Sequence, residues 1–403
     1  MSDILMMIGA GVMQSPAIEA AKDAGYRIVS VDGAIDPIGR KISDFFINED
    51  ISDWEKVVAA SKNFSKKISP IGGVITVGTD FSYTVAKVCD ALSLVGVSPE
   101  TALAATNKGV MRKRFKEFGV PSPDFRIVKT LEEADIAVKE LGFPCVVKPV
   151  DNMGARGVSM IKKEASLKIA FENAVEGSSS KQVIIEEFME GPELSMDTIV
   201  YDGSVYMLTV ADRIISGEPY FIERGHTIPS QLKPDTIEDV FRVMKLGIEA
   251  LGINIGASKV DMKVTPKGPM IGEMTVRLSG GFHSQYTDPL ATGMRSMKAA
   301  IDIAMGKKLN IEDVTPEFEK AACERSLYPK SGKVVEINGV EDALKMKGIY
   351  KIFLNTSIGK YLNPVTSNMG KACHIIAFGD TRSEAIENCK NAMKKINIVT
   401  VMK

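Results

Sequence analysis

The first quarter of the chain alternates short apolar runs with segments of helical periodicity. Apolar runs at residues 3–8, 27–31 and 73–77 predict strands, and the segments that follow, ending near Ala24 and Ala91, predict helices. Strands that alternate with helices form parallel sheets whose faces are covered by the helices. We therefore expect this part of the chain to be an α/β domain built on a parallel sheet.

After residue 105 the pattern changes to helices followed by mainly antiparallel strands. The predicted elements are a helix rich in Lys and Arg at 107–118, a strand at 145–148, antiparallel strands from about 183, and helices at about 235–251 and 288–305. The last hundred residues show short strands, hairpin turns and a helix that opens with a capping box at Thr381 and Glu384. The predicted domains are 1–105, 106–310 with a lid subdomain at about 120–185, and 311–403.

Composition restricts the class of protein. The chain has 403 residues, 45% apolar and 25% charged, with a net charge of −1, so it lacks the basic field of a nucleic-acid-binding protein. Five scattered cysteines without a CxxC pair indicate free thiols in a reducing compartment. The apolar runs are too short to span a bilayer, and the chain start lacks the basic region of a signal peptide. We expect a cytoplasmic protein.

The most informative polar pattern is a predicted hairpin that turns at residues 266–268. Its register would place Asp261 opposite Glu273. Two carboxylates that face each other across a ladder repel, and a divalent cation between them would convert that repulsion into binding. Oxygen-only ligands suit Mg²⁺. The alternative is a solvated polar face on which Lys259 and Lys263 neutralise the acids.

The turn after the first strand resembles a dinucleotide fingerprint in part. Gly9 and Gly11 are present, and Asp32 ends the second strand, but Gln14 stands where a third glycine is needed. This pattern favours a tight strand-to-helix turn over a nicotinamide site. The helix N-terminus at this turn could still hold an anionic group of a substrate.

A second glycine-containing loop follows the strand that ends at Lys148. Gly154 and Gly157 would let backbone N–H groups approach phosphates closely, in a strand–loop–strand lid. Lys148 is then a candidate phosphate ligand, and Lys108 in the basic helix is a second one. The alternatives are a surface lysine that snorkels and an ordinary lysine on a helix face.

Two further polar segments follow buried strands. Glu186, Glu187 and Glu193 could accept hydrogen bonds from an adenine amine and from ribose hydroxyls, or could form a solvated strand end. Arg277 follows the acidic hairpin and precedes a flexible Gly280–Gly281 pair. It can clamp a carboxylate or phosphate, or form a salt bridge to one of the hairpin acids.

The order and spacing of these motifs resemble the ATP-grasp superfamily over nearly the whole chain. The N-terminal part resembles the preATP-grasp domain of biotin carboxylase, carbamoyl-phosphate synthetase and the purine-pathway ligases. The segments Tyr328-Pro-Lys-Ser-Gly-Lys and Phe378-Gly-Asp-Thr-Arg-Ser-Glu-Ala resemble their small C-terminal domain. The resemblance implies a mixed α/β and α+β fold, with a parallel-sheet preATP-grasp domain, a two-lobed ATP-grasp domain and a small β-rich C-terminal domain.

The resemblance also implies roles for individual residues, with ATP and Mg²⁺ or Mn²⁺ as cofactors. The implied nucleotide ligands are Lys108, Lys148, Met153, Gly154, Gly157, Glu186 at the adenine amine, Glu187 and Met189 beside the adenine, and Glu193 at the ribose. The implied metal ligands are Asp261, Glu273 and Thr275, where many relatives have Asn instead of the threonine. The implied catalytic residues are Lys148, the lid residue Arg156, and Arg277, which would steady an acyl phosphate.

The implied reaction has two steps. A carboxylate attacks the γ-phosphate of ATP to give an acyl phosphate and ADP, and an amine then displaces phosphate. The candidate substrate residues are Glu223, Arg224, His226, Ser279, Gly280, Gly281 and His283. Three variants remain open: an amino-acid or dipeptide ligase, a phosphoribosylglycinamide synthetase, and a carbamoyl-phosphate synthetase-like enzyme that uses bicarbonate.

Functions of other classes also remain open. One is an NAD-dependent oxidoreductase built on residues 1–105, and another is a nucleotide-responsive binding module without catalysis. The expected partners are a small-molecule carboxylate and an amine, with no nucleic acid and no membrane, and a homodimer is compatible with this assignment.

Overall fold

A computed structural model describes residues 3–402 of the chain, so the predicted domain limits at residues 1 and 403 lie outside the described residues. The N-terminal elements are β1 (Ile4–Ile8), α1 (Ser15–Asp23), β2 (Arg27–Asp32), β3 (Phe45–Asn48), α2 (Trp54–Lys67), β4 (Ile71–Ile75), α3 (Ser82–Leu92) and α4 (Pro99–Thr106). The strands pair in parallel in the order β3-β2-β1-β4. The predicted parallel sheet is confirmed, whereas β3 and α2 were not predicted and β4 begins two residues before the predicted strand.

The second region is a small lobe that carries the predicted lid. The helix α5 (Lys108–Glu117) precedes the lobe, whose own elements are β5 (Phe125–Val128), α6 (Leu131–Leu141), β6 (Cys145–Pro149), β7 (Ser159–Ile161), α7 (Leu167–Gly177) and β8 (Val183–Glu187). The sheet is antiparallel in the order β5-β8-β6-β7, and apolar residues of α6 and α7 pack against it. The lid is the connection between the paired strands β6 and β7, as predicted.

The remaining elements build a long antiparallel sheet and a small one. They are β9 (Glu193–Tyr201), β10 (Ser204–Ser216), β11 (Ile222–Ile228), α8 (Pro234–Leu251), β12 (Gly256–Thr265), β13 (Gly268–Thr275), α9 (Asp288–Thr292), α10 (Ser296–Ala304), β14 (Ala321–Leu327), β15 (Gly332–Asn338), α11 (Val340–Leu344), β16 (Ile349–Leu354), β17 (Tyr361–Leu362), β18 (Cys373–Gly379), α12 (Arg382–Lys395) and β19 (Asn397–Val401). The long sheet has the order β13-β12-β9-β10-β11-β14-β18-β16, and the small one has β17-β15-β19.

Two predicted elements differ in detail. The single helix expected at 288–305 is two helices, because Gly293 adopts a left-handed conformation with φ 78° and ends α9. Thr381 caps α12 by accepting from the Glu384 N–H, but the Glu384 carboxylate accepts from the N–H of Asp380 instead of that of Thr381. The helix begins where the capping motif predicts.

The long sheet passes the predicted boundary at residue 310, because β14, β18 and β16 of the C-terminal segment continue it. The mixed fold class and the three-part order are confirmed, while the domain limits stay predictions. One core cluster joins α1, α10 and the strands β1, β2 and β9, which fixes the N-terminal sheet against the long sheet. Within residues 3–402, no helix is both long and apolar enough to cross a membrane.

Candidate active site

A cavity of about 1050 Å³ lies where the lid, the small lobe, the long sheet and the C-terminal segment meet. Most of the predicted site residues line it, although they come from positions spread over about 180 residues of sequence. They are Lys108, Lys148, Met153, Gly154, Arg156, Glu186, Glu187, Met189, Glu193, Glu223, His226, Asp261, Glu273, Arg277, Ser279, Gly280, Gly281 and His283.

Three of the predicted residues do not line the cavity. Gly157 lies at the base of the lid and has a φ of +70°, a conformation that favours glycine. A Cβ atom at this position would also come within 3.0 Å of the Asn173 carbonyl oxygen, so the site requires a residue without a side chain. Arg224 stacks over the ring of Tyr328, 4.5 Å from its centroid. Thr275 is buried in β13. The roles of these residues toward ligands stay predictions.

The predicted pairing of the two hairpin acids is confirmed, although the register next to the turn differs from the prediction by one residue. Asp261 on β12 pairs with Glu273 on β13, and the register then shifts because Met262 pairs with Ile271. The extra residue is Gly272, whose carbonyl oxygen accepts a hydrogen bond of 2.6 Å from Arg112. The bulge therefore attaches the hairpin to α5 beside the two acids.

Each acid of the pair has its own cation. Lys108 Nζ lies 2.7 Å from Glu273 Oε1, and Asp261 Oδ2 contacts Arg213 Nη1 at 3.1 Å and also Lys259. Burial opposes the ionisation of Glu273, but Lys108 outweighs it, so the pKa of Glu273 lies well below its ordinary value. Facing carboxylates thus coexist here without net repulsion, and Lys259 is one of the neutralising cations that the alternative interpretation named.

The oxygen atoms at the hairpin fit a hard divalent cation. Asp261 Oδ1 and Thr275 Oγ1 are buried and make no hydrogen bond within residues 3–402. Among these residues no three His, Cys, Asp or Glu side chains cluster as a complete metal site. The donors present suit Mg²⁺, which keeps waters or phosphate oxygens in its coordination sphere and needs few protein carboxylates.

Lys148 belongs to a buried ion cluster. Lys148 Nζ lies 2.6 Å from Glu186 Oε2, and Arg112 Nε lies 2.8 Å from Glu186 Oε1. All three side chains are buried, so Lys148 is not a snorkelling surface lysine. Burial lowers the pKa of Lys148, and the attraction of Glu186 only partly offsets this because Arg112 and Lys108 repel the ammonium. Both Glu186 oxygens are held by cations, so its role toward an adenine amine stays a prediction.

Arg213 links the predicted ribose, substrate and metal residues. Its guanidinium lies 2.6 Å from Glu193, 3.3 Å from Glu223 and 3.1 Å from Asp261. Glu223 also contacts Lys371, at 3.2 Å, from the loop before β18. One partly buried cation therefore fixes three carboxylates around the cavity.

Arg277 does not pair with either hairpin acid. Its Nε donates to Asp80 Oδ1 at 2.8 Å, and one Nη group donates to the Leu278 carbonyl at 3.1 Å. Asp80 lies in the loop between β4 and α3, so this bond joins the long sheet to the N-terminal domain. The guanidinium is thereby held at the cavity wall beside Gly280 and Gly281.

The two histidines predicted at the substrate side lie close together. The rings of His226 and His283 are 5.1 Å apart, with His226 Nε2 2.7 Å from Thr287 Oγ1 and His283 Nε2 3.1 Å from Thr209 Oγ1. Burial, followed by the neighbouring His283, lowers the pKa of His226 to about 3. The His226 ring is therefore neutral near pH 7, and burial lowers the pKa of His283 as well. Ser279 is fixed beside them by Asp197, which accepts from its N–H and its hydroxyl.

Asp288 lies behind this group and gives a pH-dependent prediction. Burial, followed by the charge of Asp197, raises the pKa of Asp288 to about 7. In the unfolded chain it titrates near 3.9, so its ionisation opposes folding progressively from about pH 4 to pH 7. We expect Asp288→Asn to raise the free energy of unfolding by about 2–4 kcal/mol at pH 8 and by less at pH 5.

Denaturant unfolding of Asp288→Asn at these two pH values checks this expectation. The exposed residue Asp235, on α8, provides the control variant Asp235→Asn, which should show no such dependence. A gain from Asp288→Asn that is the same at pH 5 and pH 8 would contradict the raised pKa.

The turn after β1 lacks the features of a nicotinamide site. Gln14 is buried; its side-chain oxygen accepts from the Gly11 N–H at 3.0 Å, and its amide donates to the Val77 carbonyl. Asp32 accepts from the N–H groups of Ala10 and Ala34, at 2.8 and 2.9 Å. The Gln14 and Asp32 side chains therefore bond to backbone groups at the turn itself, as predicted for a tight strand-to-helix turn.

Several residues of the site were not predicted. Arg112 is four residues after Lys108, a spacing that places both on one helix face and could have indicated it. Asp80, Arg213 and Lys371 lie outside any recognisable motif. The loop before β18 also lines the cavity, and its Asn368 N–H donates to the Gly154 carbonyl at the lid, at 3.1 Å.

Two family models match the chain. An ATP-grasp domain matches residues 141–285, and the L-amino acid ligase C-terminal domain 2 matches residues 325–401. The uncharacterized protein y4rH of Sinorhizobium fredii is 26% identical over 336 residues, 81% of this chain and 68% of that protein. The chain also matches the carbamoyl phosphate synthase large chain of Clostridium acetobutylicum at 23% identity, but spans 27% of its length.

Solved structures show the same fold. The L-amino acid ligase from Bacillus licheniformis superposes with a TM-score of 0.87 at 21% identity, covering 99% of this chain and 98% of that one. The phosphoribosylglycinamide synthetase from Anaerococcus prevotii gives a TM-score of 0.77 at 23% identity, covering 99% of each chain. At these identities the similarity establishes the architecture, including the N-terminal sheet, the lobe with the lid and the C-terminal segment.

Proposed function

We propose that the chain is an ATP-grasp carboxylate–amine ligase that joins the carboxylate of an amino acid to an amine, using ATP and Mg²⁺. The observation that carries the proposal is one cavity in which the opposed Asp261 and Glu273, the lysines Lys108 and Lys148, and the lid come together. These groups have the charges and positions that phosphoryl transfer requires, which depends mainly on positioning and charge neutralisation.

The residues of the cavity divide the work between them. Asp261 and Glu273 would hold the divalent cation, which supplies neutralisation of the nucleotide phosphates when bound. Lys108 and Lys148 would bind phosphate oxygens, and Arg277 would bind the transferred phosphoryl group on the substrate carboxylate. Closure of the lid would exclude water from that acyl phosphate.

The C-terminal segment favours an amino-acid substrate. Residues 325–401 match the C-terminal domain of L-amino acid ligases, and this segment supplies Lys371 and Asn368 to the cavity wall. Lys371 pairs with Glu223, and Asn368 accepts from the Glu223 N–H at 2.8 Å, so the segment shapes the predicted substrate side. A second candidate, a phosphoribosylglycinamide synthetase, is supported by structural similarity alone.

An ADP-release screen tests the proposed function. The substrates are pairs of amino acids, glycine with phosphoribosylamine, and bicarbonate, each with ATP and Mg²⁺, with product identification by mass spectrometry. We expect release with amino-acid pairs and an amide product. ADP release with glycine and phosphoribosylamine alone would favour the second candidate.

Stabilisation by added ligands tests which nucleotide the same protein preparation binds. A ligand at a hundred times its dissociation constant stabilises a protein by about 2.7 kcal/mol. ATP with Mg²⁺ should therefore raise the melting temperature and NAD should not. Stabilisation by NAD and none by ATP with Mg²⁺ would refute the ligase.

The lid arginine gives a separate prediction. Arg156 is exposed, and its side chain donates only to the Met153 carbonyl of the lid itself, at 3.1 Å, among the described residues. Arg156→Ala should therefore leave the melting temperature unchanged, lower the rate, and raise the ratio of ADP to ligated product, because a looser lid admits water to the acyl phosphate. Lys163→Ala, another exposed cation of the small lobe, is the matched control. An unchanged rate and ratio would remove Arg156 from the site.

A further inference from the structure

Glu324 and His374 form a carboxylate–imidazole pair that the roles assigned above leave unused. His374 Nδ1 lies 2.7 Å from Glu324 Oε1, and the Ser326 hydroxyl donates to the same oxygen at 2.6 Å. Glu324 and Ser326 lie on β14, and His374 is opposite Ser326 on the adjacent strand β18. Both members of the pair are buried, with 1% and 2% of their surface exposed. The imidazole is therefore held in one orientation by two paired strands.

The charges around the pair select the tautomer of His374. Burial opposes the ionisation of Glu324, but Lys371 and His374 outweigh it and lower the pKa of Glu324. An ionised carboxylate only accepts hydrogen bonds, so Nδ1 of His374 must donate and Nε2 carries the lone pair. Within residues 3–402, Nε2 makes no hydrogen bond, and His374 lines the cavity. A free basic nitrogen thus lies at the cavity wall.

The position of His374 relates it to the expected reaction centre. The ring of Phe282 is 5.0 Å from the imidazole and nearly perpendicular to it. Phe282 follows Gly280 and Gly281, which line the cavity after Arg277. Glu223, across the cavity wall, is paired with Lys371, three residues before His374. The pair therefore lies at the substrate side of the cavity, next to the segment that carries Arg277.

We propose that His374 is the general base for the amine nucleophile and that Glu324 is its positioning residue; the proposal rests on the proposed ligase function. An amine enters largely as its ammonium ion, because the α-amino group of a free amino acid titrates well above pH 8, the usual value for a chain N-terminus being about 8, and an ammonium ion has no lone pair for attack. His374 Nε2 takes one proton from it. The free amine attacks the acyl carbon, the C–N bond forms, the C–O bond to phosphate breaks, and phosphate leaves with the electron pair and the second proton.

The other two histidines are poorer candidates for this role. Nε2 of His226 is engaged by Thr287, and Nε2 of His283 is engaged by Thr209. Neither ring has a carboxylate hydrogen-bonded to Nδ1 among the described residues, and burial lowers the pKa of both. A base of low pKa binds a proton from an ammonium ion poorly. His374 alone combines a carboxylate partner with a free nitrogen at the cavity.

The charged and titratable neighbours of the pair come from three elements. The cations are Lys371 from the loop before β18 and Arg325 from β14, which donates to the His226 carbonyl, and the titratable but uncharged neighbour is His226 from β11, opposite Glu324. The groups that β16 and the segment after Arg277 place against His374 are the uncharged Phe353 and Phe282. One carboxylate therefore faces the imidazole at hydrogen-bond distance, and it holds the ring in one tautomer and orientation.

Comparison of two nucleophiles tests the proposal. Hydroxylamine is uncharged near neutral pH and needs no base, whereas amino acids do. Wild type, His374→Gln, Glu324→Gln and Ser326→Ala would each receive ATP, Mg²⁺ and an equimolar mixture of the twenty standard L-amino acids, with or without excess hydroxylamine. Hydroxamate and dipeptides would be quantified at pH 7 and at about pH 10, above the α-amino pKa of free amino acids, which exceeds the chain-terminus value of about 8. The ratio of the two products is the readout, because it does not depend on the amount of folded enzyme.

We expect His374→Gln to lose dipeptide formation by roughly 10²-fold at pH 7, to keep hydroxamate formation within a few-fold, and to recover dipeptide formation at the higher pH. Glu324→Gln should show the same pattern more weakly, and Ser326→Ala should keep the wild-type ratio. Equal losses with both nucleophiles, or an unchanged dipeptide rate in His374→Gln, would refute the general base. A wild-type protein that forms neither product would refute the ligase function itself, and the base with it.

Discussion

Asp261→Asn and Glu273→Gln are each expected to reduce Mg²⁺-dependent ADP release by roughly 10²-fold or more, because a bound metal contributes several kcal/mol of charge stabilisation. The two carboxylates face each other across the β12–β13 ladder, and Asp261 keeps one buried oxygen without a hydrogen bond within residues 3–402. Each substitution keeps the size of the side chain and removes one charge. ADP release at a series of Mg²⁺ concentrations measures the effect.

In the metal-free protein, both substitutions should lower the free energy of unfolding, although repulsion between the two carboxylates would predict that it rises. Repulsion alone predicts that neutralising either acid stabilises the fold. The structure gives Glu273 the cation Lys108 and gives Asp261 the cations Arg213 and Lys259, so neutralisation leaves a cation with one partner fewer. We expect the free energy of unfolding to fall by about 1–3 kcal/mol in each variant.

Glu238→Gln, on the exposed face of α8, is the matched control and should change neither quantity. Loss of stability accompanied by normal ADP release in either hairpin variant would mean that the acids serve only their ion pairs. That outcome would remove the metal assignment and the main support for the proposed function.

The hairpin illustrates what local sequence can predict. Alternating apolar residues predict the two strands and their buried face, because a slip by one residue would send that face to solvent. The predicted pairing of Asp261 with Glu273 is confirmed, but the turn has two residues, 266 and 267, instead of the predicted three, and that turn alone would place Asp261 opposite Gly272. The bulge at Gly272 restores the predicted pair, and it could not be predicted because the Gly272 carbonyl is bonded by Arg112, 160 positions away in sequence.

The partners of the predicted side chains could not be predicted from local patterns. Arg277 meets Asp80 across 197 positions of sequence, and His374 meets Glu324 across 50. Such pairs depend on which strand edges join, and edge pairing leaves no periodic signal. The C-terminal segment shows this most clearly, because β14 joins β11 and thereby brings Lys371 and His374 to the cavity.

The buried ion cluster of Lys148, Glu186 and Arg112 should respond strongly to substitution. One buried carboxylate is shared by two cations, and Lys108 lies near enough to lower the pKa of Lys148 further. A lysine whose pKa is lowered in the fold opposes folding at every pH at which the unfolded side chain is charged. The cluster therefore carries an excess of positive charge, which the phosphates of a nucleotide would neutralise.

Two substitutions in this cluster should consequently have opposite effects on stability. Lys148→Met removes the excess cation and leaves Arg112 paired with Glu186, so the free energy of unfolding should stay the same or rise. Glu186→Gln leaves two buried cations without their carboxylate and should cost roughly 3–5 kcal/mol. Both expectations depend on Lys148 being a buried member of the ion cluster and not a snorkelling surface lysine.

Activity should fall in both variants, and nucleotide binding separates the causes. Lys148→Met should fold normally yet lose ADP release and most of the stabilisation by ATP with Mg²⁺, because a phosphate ligand is gone. Glu186→Gln should recover part of its lost stability when ATP with Mg²⁺ is added, since phosphate oxygens would replace the missing negative charge. Melting temperatures with and without nucleotide, together with ADP release, measure all of these quantities. A Lys148→Met protein that unfolds easily and turns over at the normal rate would show that the lysine serves the fold and does not bind phosphate.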